Sequence, residues 1–336
     1  MELKDLRLPY VPAAVNSSDE EEGQVAKPRS PYKVVYMLCR RYVARWAANL
    51  YLGGIVATLG AGLAGCSTSF PHAVHPASTQ EQVAAQAVFN ECLAAHGGDV
   101  AGFAKDVNFS MDGKWGTLIQ RIQPVVTDSA YRISAQERFR PGEQLYAELW
   151  QGPAGTKKVV RTPGHVEVFY NGIPTSDEPK KQAAAMTADA FQLFHFGPSF
   201  LQLRKATFVR LADESENGVK YLRLLTTLKP GFGFSSEDDV VIWIDPTTHR
   251  LFRVHMTLNG FGTTKGAHVD TTFLEYKQIG GMLVPVRFHE RVRGPVQISA
   301  HHWRISGADF DRGWEAKDVS GADLSGAATA PAKAVD

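Results

Sequence analysis

From Tyr131 onward, short apolar-rich runs follow one another, and in the first two of them apolar and polar residues alternate. The runs are Tyr131–Gln136, Leu145–Trp150, Lys157–Arg161, His165–Tyr170, Thr207–Ala212, Lys220–Leu228, Val240–Asp245, Leu251–Asn259, Val269–Tyr276, Leu283–Glu290 and Val296–Ile305. Period-two alternation predicts strands with one face buried. Turn residues separate them: Pro163-Gly164, Asn171-Gly172, Asn217-Gly218 and Pro246-Thr247. Two stretches break the series. Ser78 or Thr79 caps a predicted helix to about His96, with a 3.6-residue stripe at Val83, Ala87, Val88, Cys92 and Ala95 and a stop at Gly97-Gly98. Residues 180–204 form an alanine-rich helical insert interrupted at Gly197-Pro198. Residues 108–123 read as a hairpin around Asp112-Gly113.

The predicted fold class is mainly β, α+β. It is a single strongly curved antiparallel sheet forming an unclosed barrel of about eleven strands, because a sheet this large curls or closes. The N-terminal helix precedes it, and the inserted aromatic-rich helix packs in the concave side. Residues 229–236 and 261–266 read as glycine-rich loops, Asp238-Asp239 as a solvated strand start, and residues 313–336 as a small, polar, disordered tail.

With 44% hydrophobic and 21% charged residues among 336, the composition is that of a globular body. Eight of the 36 basic and six of the 35 acidic residues precede residue 46. This leaves 28 and 29 beyond it, a balance of −1. Such a body has no bulk electrostatic attraction for nucleic acid or an anionic membrane. The three cysteines, Cys39, Cys66 and Cys92, make no disulfide framework, and Cys92 on its helix reads as a small buried apolar residue.

One uncharged stretch changes the picture. Arg40, Arg41 and Arg45 precede Trp46–Cys66, which ends Leu63, Ala64, Gly65, Cys66. Basic residues, an apolar run and small residues at its end are the layout of a secretory signal. A membrane span is the alternative, but five glycines and the small terminal residues suit a processing site better. The Leu63–Cys66 tetrad resembles the lipobox of bacterial lipoproteins. That resemblance implies a diacylglyceryl group on the Cys66 sulfur, cleavage before Cys66 and acylation, palmitate among the chains, of the new amino terminus. Ser67 in place of Asp after the cysteine implies outer-membrane delivery. The expected organisation is a disordered or untranslated extension at 1–36, with translation starting at Met37, a signal peptide at 37–65, a tether at 66–78, the folded domain at 79–312 and the tail.

The unit Val241–Ile244, Asp245-Pro246, Leu251–Val254 resembles the strand–turn–strand of LolA/LolB-like envelope proteins. So does Phe273–Ile279 with Gly280-Gly281 and the strand opening at Val284-Pro285. The resemblance implies an unclosed barrel with helices over an apolar hollow that takes acyl chains. It also implies a periplasm-facing role in outer-membrane lipoprotein or lipid transport, with a lipid or acylated protein as partner. Met186, Phe191, Phe194, Phe196, Phe200, Leu201, Phe232 and Phe234 are the candidate lining, set against the plainer reading that they fill the core. No catalytic residue, metal ligand or cofactor is predicted beyond the lipid on Cys66. The glycines at 60–65 match a dinucleotide pattern without its strand–helix unit, and His301-His302 point to opposite faces of a strand. Two further readings stay open: an envelope hydrolase, which predicts convergent polar groups in one cleft, and a structural or assembly lipoprotein with a filled core.

Overall fold

A computed structural model describes residues 68–335. The lipobox residues Leu63, Ala64, Gly65 and Cys66, the signal segment, the extension and the glycine pattern at 60–65 lie outside the described residues. Among those described, no helix is long and apolar enough to cross a membrane.

The first element of the described residues is helix α1 (Thr79–Ala95). Ser78 Oγ accepts from the Glu81 N–H and the Glu81 carboxylate accepts from the Ser78 N–H at 2.8 Å, a reciprocal capping box. It buries Ala85, Phe89 and Cys92, one helical face, and burial pushes the Cys92 thiol far above its ordinary pKa. Helix α2 (Val100–Phe103) follows.

Among the described residues, thirteen strands form one antiparallel sheet. They are β1 (Val107–Trp115), β2 (Ser134–Arg140), β3 (Leu145–Gly152), β4 (Gly155–Thr162), β5 (His165–Tyr170) and β6 (Ile173–Pro174), then β7 (Val209–Glu216), β8 (Val219–Leu228), β9 (Asp238–Ile244), β10 (Leu251–Thr257), β11 (His268–Ile279), β12 (Met282–Gly294) and β13 (Ile298–Phe310). The order is β6-β5-β4-β3-β2-β1-β13-β12-β11-β10-β9-β8-β7. The two edges, β6 and β7, do not pair, so the barrel is unclosed. The count exceeds the expected eleven by β1, whose alternating Val107–Asp112 the expected hairpin misplaces, and by β6, whose two residues are too short to show a period.

This order explains the insert. The chain runs outward from β1 to one edge, and must then reach the other edge before returning inward to pair β13 with β1. The link is helix α5 (Glu178–Phe196) followed by helix α6 (Pro198–Leu203), with α3 (Thr117–Ile122) and α4 (Pro124–Thr127) ahead of β2. Every residue of α5 from Ala183 to Phe196 is buried, as a helix lying inside a curved sheet requires.

The hairpin expected around Asp112-Gly113 is not formed. β1 runs straight through it, paired to β13 on one side and β2 on the other. A Cβ on Gly113 would sit 2.6 Å from His301 Nε2 and 2.7 Å from Trp303 Cβ, so glycine marks a close approach here and not a turn. Residues beyond it form α3 and α4.

Residues 313–335, expected to be disordered, strap the outer face of β2–β4. Trp314, Val319 and Ala328 are buried against Leu145, Ala147 and Val160. The buried Lys158 Nζ donates to the carbonyls of Val319, Gly321 and Asp323 at 2.8–3.2 Å, and burial lowers its pKa to about 8. The Arg138 guanidinium donates to the carbonyls of Ala328 and Ala330. The tether is not free throughout either, since Phe70 packs on Leu211, Tyr221, Val241 and Trp243. Asp238 is also not solvated. Its carboxylate accepts from Thr257 Oγ1, the Asn259 N–H and the Phe232 N–H, pinning the loop before β9.

Candidate functional site: two cavities beside the inserted helix

Helix α5 divides the hollow of the sheet. Met186, Thr187, Ala190, Phe191 and Phe194, at one helical face, look into a cavity of about 170 Å³. Its far walls are Ile119, Ile122 and Val126 of α3 and α4, Met256, Leu258 and Val269 of the β10–β11 pair, and Val292, Val296 and Ala300. The lining is apolar, with threonines, Gln123 and one ionisable side chain, Glu290. Ile122 and its neighbour Leu118 are each 47% exposed, which extends the apolar surface from the cavity to the outside.

Glu290 makes no hydrogen bond or ion pair among the described residues. It lines the cavity, where burial desolvates its carboxyl. That desolvation raises its pKa to about 7, against the opposing pull of the Arg132 charge. The carboxyl is therefore largely neutral in mildly acidic solution, which keeps the cavity wall compatible with an apolar guest.

The opposite face of α5 presents Asp189 and Gln192 to a second cavity of about 390 Å³, bounded by α6, the Pro163-Gly164 turn and the loop 230–235. Asp189 holds Arg161 in a two-pronged ion pair at 3.0 and 2.9 Å and also accepts from the Gly233 N–H at 2.8 Å. Gly233 has φ +63° and lies so close to α5 that a Cβ would meet the Met186 nitrogen at 2.9 Å. The loop is thus fixed to the helix through its backbone.

Between α5 and the sheet lies a buried polar layer. His195 Nδ1 is 2.8 Å from Glu137 Oε2, with both side chains almost fully enclosed. The Arg132 guanidinium stacks 5.1, 4.6 and 5.1 Å from the rings of Trp115, Trp150 and Phe191 and donates to the Val126 carbonyl at 3.0 Å. Burial raises Glu148 to about 7 despite Arg132. Lys157 and Tyr170 both donate to Asp128, at 2.8 and 2.7 Å. These groups tie α4, α5 and strands β2–β5 together below the cavities.

The candidate residues from the sequence divide between these places. Met186, Phe191 and Phe194 line the apolar cavity. Phe200 and Phe234 line the second, Phe234 at 49% exposure on its lip. Phe196 borders a void of only about 10 Å³, and Leu201 and Phe232 are packed in the core away from both cavities. His301 is enclosed and stacked on Trp115, whereas His302 stacks on His289 at the surface, so the two rings do face opposite ways. Among the described residues, no three His, Cys, Asp or Glu side chains group to hold a metal ion. Sequence reading missed Glu290, the Arg161–Asp189 pair and the α3–α4 wall. Gly116 before the helix and Pro124 at the start of the next were the available signals for that wall.

No family model and no curated protein sequence matches the chain. Solved structures do. The chain is similar to a domain described as an outer membrane lipoprotein-sorting protein from Vibrio parahaemolyticus, at 14% identity and a TM-score of 0.38, over 71% of this chain and 97% of that one. It is similar to a LolA superfamily protein from Nitrosomonas europaea, at 12% identity and a TM-score of 0.41, over 70% and 97%. Lipoprotein LppX from Mycobacterium tuberculosis matches at 12% identity and a TM-score of 0.24, over 53% and 90%.

Proposed function

We propose that this chain is an envelope lipoprotein that binds a lipid or acylated partner in the hollow of its half-barrel, anchored through Cys66 in the outer membrane and facing the periplasm. The observation that carries the reading is the apolar cavity beside α5, continuous with the exposed Leu118 and Ile122. Its size bounds the energetics. At ~30 Å³ per water-sized group, a volume of 170 Å³ takes about six methylenes. At roughly 0.8 kcal/mol each, their burial yields about 5 kcal/mol, a millimolar to sub-millimolar grip. A longer chain gains more by lying over the α3–α4 lip. Binding is burial, and no covalent step is involved.

The experiment is titration of the full chain with 1-dodecanol, followed by an intrinsic-fluorescence change at Trp115, which borders the cavity. Saturable binding in the wild type, weakened at least tenfold by Ala190→Leu, supports the reading. Absence of saturable binding, or equal affinity in both proteins, overturns it.

A further inference from the structure

The second cavity has a different chemistry. Phe139, Phe200, Leu203 and Phe234 give it apolar walls, and two guanidiniums enter it. Arg161 is saturated. Its Nε and Nη2 hold Asp189, Nη1 donates to the carbonyls of Thr162 and His165, and Nη2 also donates to the carbonyl of Gly233. Arg204 is not. It caps the end of α6, and its Nη2 donates to the carbonyls of Pro230 and Gly231. Among the described residues, its Nε and Nη1 have no hydrogen-bond partner and no carboxylate lies within ion-pair distance. The ring of Phe200 lies 5.5 Å from the guanidinium carbon.

With the Arg161–Asp189 pair neutral, the cavity keeps one uncompensated positive charge beside aromatic walls. A partly buried charge without a counter-ion is costly, and an incoming oxyanion relieves that cost through charge-assisted hydrogen bonds. Burial depresses the pKa of Arg204, as expected of a cation lacking its partner, while the nearby Asp189 opposes that shift. The volume, about 390 Å³, accommodates about a dozen heavy atoms at ~30 Å³ per water-sized group, and the half-exposed Phe234 offers a ramp for a longer tail.

We propose that this cavity binds an anionic amphiphile, its carboxylate or phosphate-monoester head on the free nitrogens of Arg204 and its alkyl chain against Phe139, Phe200, Leu203 and Phe234. The site lies on the opposite face of α5 from the apolar cavity and stands or falls separately from it.

The test is calorimetric titration of the full chain with dodecanoate and dodecyl phosphate, with 1-dodecanol as the uncharged control. The wild type binds at least one of the anions tenfold or more tighter than dodecanol. Arg204→Gln removes that advantage, Phe234→Ala weakens the anion several-fold, and Ala190→Leu leaves it unchanged. The order of the two anions identifies the head group. Three results overturn the proposal: neither anion binding tighter than dodecanol, undiminished anion affinity in a folded Arg204→Gln, or loss of the anion in Ala190→Leu, which would move it to the other cavity. Should Arg204→Gln fail to fold, unchanged anion affinity in Phe234→Ala overturns it.

Discussion

Asp189 joins α5, β4 and the loop 230–235, and removing it tests the interior as a whole. In Asp189→Ala the Arg161 guanidinium, whose side chain is 7% exposed, keeps only carbonyl partners, and the Gly233 N–H loses its acceptor. Breaking a buried pair from one side costs about 3–5 kcal/mol, because the surviving charge stays desolvated. With a urea m-value of about 3 kcal/mol/M for a chain of this size, the midpoint falls by about 1–1.7 M. The double variant Arg161→Met/Asp189→Leu removes both charges, and apolar replacement of a buried pair is often close to neutral. It should recover most of the loss, to within about 1.5 kcal/mol of the wild type. Chemical denaturation of the four proteins of this cycle is the assay. A cost below about 1 kcal/mol for Asp189→Ala, or no recovery in the double variant, refutes the reasoning, since an exposed pair behaves in the first way and a mere packing defect in the second.

Other outcomes follow from the same geometry. Trp314→Ala empties the small core beneath the C-terminal strap. It should cost about 3–5 kcal/mol in denaturation, with amide exchange rising first across residues 313–335. Glu148 has a folded pKa raised to about 7, so the folded state holds its proton between the usual carboxylate range and pH 7 and the unfolded state does not. Its contribution to stability is therefore complete at low pH and lost as pH rises to 7. Glu148→Gln should flatten the decline over that window by up to about 1.4 kcal/mol per pH unit, and an unchanged pH profile counts against the assignment. Cys66→Ser should leave an unprocessed precursor without the lipid-dependent mass increase; normal processing, read by intact mass, contradicts the anchor.

Much of the architecture is legible in the chain because antiparallel strands that bury one face must alternate, as β5 does with Val166 and Val168 buried and His165 and Glu167 exposed, whereas β9 is apolar from Val240 to Ile244 because both its faces are covered. The insert is legible too, since the alanine-rich stretch leading to Phe191, Phe194 and Phe196 has helical propensity and no period-two alternation. What fails is informative. Asp112-Gly113 has the composition of a turn, but glycine there serves the close approach of His301 and Trp303 from the neighbouring strand, a requirement set by residues distant in sequence. The strap was invisible because its small polar residues bury little surface of their own. Its fixing comes from Trp314 and from carbonyls that satisfy Lys158 and Arg138, and backbone carbonyls leave no mark in a sequence. The cavity lining was half legible. Met186, Phe191 and Phe194 follow from the helix face, whereas Glu290 and the α3–α4 wall depend on which side of β12 faces inward and on a segment misread as strand. Phe232, equally aromatic in the sequence, fills the core because the loop 230–235 is pinned by Asp189 and Asp238, and Leu201 fills it from the buried side of α6.

The most direct test of the central claim is native mass spectrometry of the full chain purified from bacterial membranes, beside Ala190→Leu prepared in the same way. A non-covalent lipid or acylated adduct at one per chain, depleted in the variant, is the predicted result. A wild-type chain carrying nothing beyond its covalent anchor, after incubation with envelope lipids, would contradict the account.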